Sequence, residues 1–147
     1  MKKLFIPPVI LLFCFLLIIL FFFLLPDLNL VPFPYNLSGI IVAFAGFIIM
    51  GKSHDLFKQY QTTMDFEKSS CLISEGIFSK TRNPMYAGMF LLLLGMGVGF
   101  MNVLSVAAAF VFLLIAEVFF IPKEEKLMEE SFGQQYLNYK KQVRRWI

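Results

Sequence analysis

The chain has 147 residues, a length that fits one domain, and is 59% hydrophobic with 16% charged residues, more apolar and less charged than a soluble domain. Its net charge of +3 comes from basic residues dispersed beside apolar stretches, which points to membrane topology and anionic lipid rather than nucleic acid. Two cysteines and one histidine, with no Cys-x-x-Cys, leave no structural zinc site, and no metal is expected.

Read from the N-terminus, residues 4–25 carry no charge and follow Lys2 and Lys3. The run is longer than the apolar core of a signal peptide and ends in Leu24-Leu25-Pro26-Asp27, so it reads as a retained span that Pro7-Pro8 kinks or starts late. A turn-rich connection over 26–36 leads to a second span over 37–51. There Gly39, Ala43 and Gly46 offer a small-residue face for close helix packing. Residues 52–84 form a long polar loop. A third span follows over 85–101, then a tight turn at Asn102 and a fourth span over 103–121. Gly95 and Gly99, with Ala107, Ala108 and Ala109, are expected to let spans three and four pack as a close hairpin. The tail 122–147 is amphipathic. Pro122 with Glu124 and Glu125 reads as a helix start, and Gly133 as a break. Met128, Phe132, Tyr136, Tyr139 and Val143 recur at helical spacing, as in a helix lying on lipid.

The expected fold is therefore all-α: one membrane domain over 1–147, with about four transmembrane helices and a C-terminal amphipathic segment. Four spans put the N-terminus, the 52–84 loop and the tail on one side, and those segments hold all 13 Lys and Arg residues. The positive-inside rule then places the N- and C-termini in the cytoplasm. Cys14 and Cys71 fall in different environments, so no disulfide is expected.

The hairpin brings two clusters to one end. One precedes span three: Phe78, Arg82, Asn83, Pro84, Met85 and Tyr86. The other leaves span four: Glu124, Glu125, Tyr136 and Tyr139. Such a mouth suits a charged polar ligand beside a lipid-soluble one. Arg82 could fork a carboxylate or phosphate, Glu124 or Glu125 could meet a cation, and Tyr86 or Phe78 could stack. Taken singly, these residues have ordinary roles as topology-setting, belt and helix-terminal groups. Glu117, within a turn of the interface, reads as a snorkelling acid.

Arg82-Asn83-Pro84-Met85-Tyr86 resembles the Arg-His-Pro-x-Tyr motif of the isoprenylcysteine carboxyl methyltransferase family and its phospholipid-methyltransferase-like relatives. The lead-in Leu72 to Phe78 and the tail from Glu124-Glu125 to Val143 are similar to that family as well, over roughly residues 70–147. The resemblance implies an integral membrane methyltransferase that binds S-adenosylmethionine in a cytosolic pocket and takes a lipophilic or lipid-modified acceptor from the bilayer. Ser70, Cys71, Leu72, Ile73, Phe78, Asn83, Pro84, Met85, Tyr86 and Glu124 would hold the cofactor, with Arg82 and Glu125 in supporting roles. No general base is nominated. Asn83 stands where the family has His, and Phe78 where it has Tyr. Phe120 stands where the prenylcysteine enzymes carry an arginine on the acceptor carboxylate. That departure points to another lipophilic acceptor, in a prokaryotic cytoplasmic membrane. Two other readings stand beside this one: an NADPH-dependent reductase of sterol-reductase-like architecture, and a non-enzymatic helical membrane protein.

Overall fold

The computed structural model describes residues 7–62 and 70–146. Lys2, Lys3, the first positions of span one and Lys68 lie outside the described residues. The chain forms an all-α membrane protein. Its helices are α1 (Pro7–Leu24), α2 (Ser38–Gln59), α3 (Pro84–Gly99), α4 (Val103–Ile115), α5 (Ile121–Phe132) and α6 (Gln134–Gln142). A π-helical segment, Ala116–Phe120, joins α4 to α5, so the helix runs unbroken over Val103–Phe132. Among the described residues, Pro7–Leu24, Tyr35–Gln59 and Val103–Phe132 are long and apolar enough to cross a bilayer. Helix α3 is apolar but has 16 residues. At 1.5 Å per residue it spans about 24 Å, less than a typical hydrocarbon core.

The first four helices run up and down. One end of the bundle is tied by Asn102, which is fully buried. Its Oδ1 accepts from the Leu104 and Ser105 N–H groups and caps α4. Its Nδ2 donates to the Phe21 and Leu25 carbonyls at the end of α1 and to Asn29 Oδ1. Ser105 Oγ adds a bond to the Ile18 carbonyl. The expected turn residue thus also fastens the hairpin to α1. The core around it packs Ile18, Leu93, Ala109 and Phe112, while Phe23, Phe44, Phe47 and Phe110 are exposed on the outer faces.

The glycines work differently from the expectation. A Cβ on Gly95 would lie 2.3 Å from the Ala43 nitrogen, and one on Gly39 would lie 2.3 Å from the Gly95 carbonyl oxygen. The Gly-x-x-x-Gly face therefore admits α2, not α4, and Ala107 is exposed. Contact of α3 with α4 rests on Gly97, whose Cβ would lie 2.7 Å from the Val106 nitrogen. The predicted small face of Gly39, Ala43 and Gly46 is the partner that α3 uses.

One boundary also moves. Helix α2 continues to Gln59, so the start of the expected loop is helical. Pro122 is the second residue of α5 and Glu124 lies in its first turn, as expected, but no break separates α5 from the span before it. Pro122 sits where the π-turn passes into α5, a place that tolerates a missing N–H. Gly133, with φ +49, does break the tail. The tail helices do not lie on lipid by their apolar face: Met128, Tyr136, Tyr139 and Val143 pack into a small core with Leu72 and Phe132.

Candidate functional site

The site lies at the end of the bundle opposite Asn102. It starts from Pro84, which opens α3 with a preset φ and is wholly buried. Asn83 precedes it as N-cap at φ −126, ψ 53, outside the helical region that a following proline disfavours. Tyr86, buried in the first turn, donates from its hydroxyl to Glu124 Oε1 at 2.6 Å. Its ring stacks on Phe120 with centroids 6.3 Å apart.

Glu124 and Glu125 are adjacent but live in different electrostatic settings. The apolar part of the long helix ends at Ile121, and both acids lie beyond it. Burial pushes the Glu124 carboxyl up to about 7, against smaller downward pulls from the Tyr86 hydrogen bond and the Lys123 charge. Among the described residues Glu124 has no ion-pair partner within 4.0 Å. Glu125 is buried too, and burial alone would raise it. Hydrogen bonds from Arg145, then the charges of Arg82, Arg145 and Lys140, outweigh that and hold it below its ordinary value.

Among the described residues, Glu125 gathers three cations around its carboxylate. Arg145 grips both oxygens, Nε to Oε1 at 3.0 Å and Nη2 to Oε2 at 2.8 Å. Arg82 Nη1 lies 3.0 Å from Oε1, and Lys140 Nζ lies 3.4 Å from Oε2 while bonding Glu129 at 2.6 Å. Arg145 also donates through Nη1 to Glu117, whose second oxygen accepts from the Trp146 indole at 2.9 Å. Glu117 is therefore engaged by the tail.

The π segment explains how one guanidinium meets both acids. In a regular helix, positions 117 and 125 would point roughly 80° apart; one extra residue in a turn reduces this to about 20°. The widened turn is marked by the Ile121 N–H bonding the Ala116 carbonyl.

Beyond α6 the chain turns extended at Val143 and runs back along the residues before α3. The Arg82 N–H donates to the Arg144 carbonyl at 3.0 Å. The Arg145 carbonyl accepts from Thr81 Oγ1 at 2.8 Å and Asn83 Nδ2 at 3.3 Å. Tyr139 donates to the Phe78 carbonyl at 2.6 Å. Residues 143–146 thus form a strap across the Arg82 loop.

Between the Arg82 loop, α5 and α6 lies a cavity of about 40 Å³. Of the predicted cofactor residues, Cys71, Leu72, Ile73, Phe78, Asn83 and Glu124 line it, as do Arg82 and Glu125. Ser70 is exposed, its N–H bonding Thr62 Oγ1 at 3.0 Å. Pro84, Met85 and Tyr86 stand behind the wall, Tyr86 reaching it through Glu124. Phe57, Met128, Tyr136 and Tyr139 complete the lining. The two tyrosines carried a helical-spacing signal, whereas Phe57 lay in a stretch taken for loop. A separate, wholly apolar hollow of about 490 Å³ opens between α2 and α3 toward the other end, floored by Gly39, Gly95 and Gly99.

Arg82 has an unusual environment. Its side chain is 9% exposed, and its Nε and Nη1 atoms are buried without a hydrogen-bond acceptor. The approach of Nη1 to Glu125 is thus a charge contact without hydrogen-bond geometry. One cavity therefore presents a buried cation, Arg82, whose Nε and Nη1 lack an acceptor, and a carboxyl, Glu124, that among the described residues has no ion-pair partner within 4.0 Å. Aromatic rings line the same space: Phe57 and Phe78 meet edge to face with centroids 5.6 Å apart.

Residues 35–135 match the family described as phospholipid methyltransferase. Protein-S-isoprenylcysteine O-methyltransferase A of Arabidopsis thaliana is 30% identical over 108 residues, covering 71% of this chain and 51% of that protein. Protein-S-isoprenylcysteine O-methyltransferase of Saccharomyces cerevisiae is 28% identical over 133 residues, covering 82% of this chain and 54% of that protein. An uncharacterized protein of Haemophilus influenzae is 36% identical over 63 residues, 43% of this chain and all of that protein. The chain spans about half the length of the two methyltransferases it matches.

Proposed function

The chain belongs to the phospholipid methyltransferase family, and on that premise we propose that it transfers the methyl group of S-adenosylmethionine to a lipophilic acceptor at the charged end of its helix bundle. The observation that carries this reading is the pairing of Arg82 and Glu124 on one cavity. A zwitterionic amino-acid end needs one anion acceptor with free donors and one carboxylate free of other cations, and these side chains supply both.

The donor set fits the cofactor. Arg82 would take its carboxylate and Glu124 its ammonium. Cys71, Leu72, Ile73 and Phe78 would wall its remaining surface, with Asn83 beside them and Ser70 at the rim. Pro84, Met85 and Tyr86 would hold that wall in place, and Glu125 would support Arg82. Ligand pockets occupy roughly 300 Å³ or more, so binding widens the present cavity by moving its flexible lining, such as Leu72 and Met128.

The bound sulfonium supplies an already activated methyl group. What the chain contributes is alignment and exclusion of water. Helices α5 and α6 and the Arg82 loop close the cavity from the charged side. Stacking of Tyr86 on Phe120 gives it an apolar neighbour toward the bilayer, through which an acceptor would arrive. The named relatives act on isoprenylcysteine, and a lipid-modified or otherwise lipophilic acceptor suits this bilayer-facing wall. The charge asymmetry supports a cytoplasmic location for this end and for both termini, and a prokaryotic cytoplasmic membrane is part of the same proposal.

Calorimetry in detergent tests the reading. The folded protein is expected to bind S-adenosylhomocysteine, more weakly after Tyr86→Ala or Glu124→Ala. No binding by folded protein, or thermal protection by NADPH in its place, would overturn it.

A further inference from the structure

Glu125 has two carboxylate oxygens and three cationic neighbours. Arg145 bonds both oxygens as a fork. Arg82 is left at the flank, 3.0 Å from Oε1 but out of line for a hydrogen bond. A guanidinium beside a carboxylate normally settles into the fork itself, because two parallel bonds satisfy both groups. Here that arrangement is already taken.

Arg145 is held where it is from several directions. Glu117 binds its Nη1. Its own carbonyl is pinned by Thr81 and Asn83, and Trp146 next to it bonds Glu117 and packs against the core. Yet Arg145 does not line the cavity. It also lies outside the stretch matched by the family, residues 35–135.

We infer that Arg145 is a positioning residue: by occupying both oxygens of Glu125 it withholds them from Arg82, and so keeps the Arg82 Nε and Nη1 N–H groups, which have no acceptor, for a carboxylate in the cavity. The inference rests on the methyl-donor reading of that cavity. Without Arg145, Arg82 rotates into the Glu125 fork and its donors are consumed inside the protein. The effect on the cavity is indirect, through a competing acceptor, and not through contact with the ligand.

This logic predicts a second-site rescue that a merely structural residue would not show. The full chain is titrated with S-adenosylhomocysteine by calorimetry, with thermal unfolding recorded for each variant. Arg145→Ala should weaken binding by roughly tenfold or more. Adding Glu125→Gln should restore much of the loss, because a neutral amide no longer captures Arg82. Arg145→Lys keeps the charge but not the fork, and should fall between wild type and Arg145→Ala. Unchanged binding in Arg145→Ala, or weaker binding in the double variant than in the single one, would overturn the inference. If Arg145→Ala does not fold, Arg145→Lys decides, and wild-type affinity there overturns it. Failure of the wild type to bind the probe would instead remove the methyl-donor reading and this inference with it.

Discussion

Tyr86 and Glu124, 38 positions apart in the chain, share a hydrogen bond of 2.6 Å. The contact exists because α3 and α4 fold back on Asn102, so the first turn of α3 meets the helix that leaves α4. It joins the motif before the third apolar helix to the acidic pair after the fourth. The cavity, its two charged walls and the strap all sit around that junction.

Replacing Glu124 by Gln keeps the shape and the Tyr86 bond but removes the charge offered to the donor's ammonium. Affinity for S-adenosylhomocysteine should fall by roughly tenfold or more, with the unfolding midpoint at neutral pH maintained or raised. Calorimetry beside a thermal melt separates the two effects.

The raised Glu124 carboxyl gives the fold a pH dependence of its own. Its folded value of about 7 lies above its ordinary 4.5. Its contribution to stability is therefore full below the ordinary value and lost as pH rises through about 7. Wild-type protein should lose thermal stability relative to Glu124→Gln between pH 5 and pH 8. Parallel melting curves across that range would contradict the partly buried state of this acid and its lack of an ion-pair partner. Glu125, held low, acts with the opposite sign and only in more acidic solution.

Gly95→Ala should destabilise the bundle by roughly 1–3 kcal/mol, since its Cβ would enter the backbone of α2. Gly51→Ala meets nothing within 4 Å and should be neutral or stabilising by up to about 1 kcal/mol. Unfolding midpoints in one detergent compare them directly.

Asn102→Ala strips the cap of α4 and leaves the Phe21 and Leu25 carbonyls without this donor. A loss of roughly 2–4 kcal/mol is expected, and Asn102→Asp should not rescue it, because Asp cannot donate to those carbonyls. A melt of the two variants checks both points.

Much of this architecture was legible from hydropathy and charge, because those properties are written locally. Uncharged runs marked the apolar helices, and Asn102 marked the turn between the last two. With that turn, Tyr86 and Glu124 had to approach each other. Basic residues collected at one end identified that end as the polar mouth. Arg82-Asn83-Pro84-Met85-Tyr86 gave it a family resemblance.

What the tertiary structure decided was the choice among partners that look alike in one dimension. Gly95 could have served either neighbouring helix, and the backbone clearance assigns it to α2. Glu117 and Glu125 fall on different faces of a regular helix, and one widened turn lets Arg145 bridge them. Arg82 could have held Glu125 in a fork, and the returning strap takes that place first. Each outcome depends on distances of a few tenths of an ångström between residues far apart in the chain, which spacing and composition do not encode.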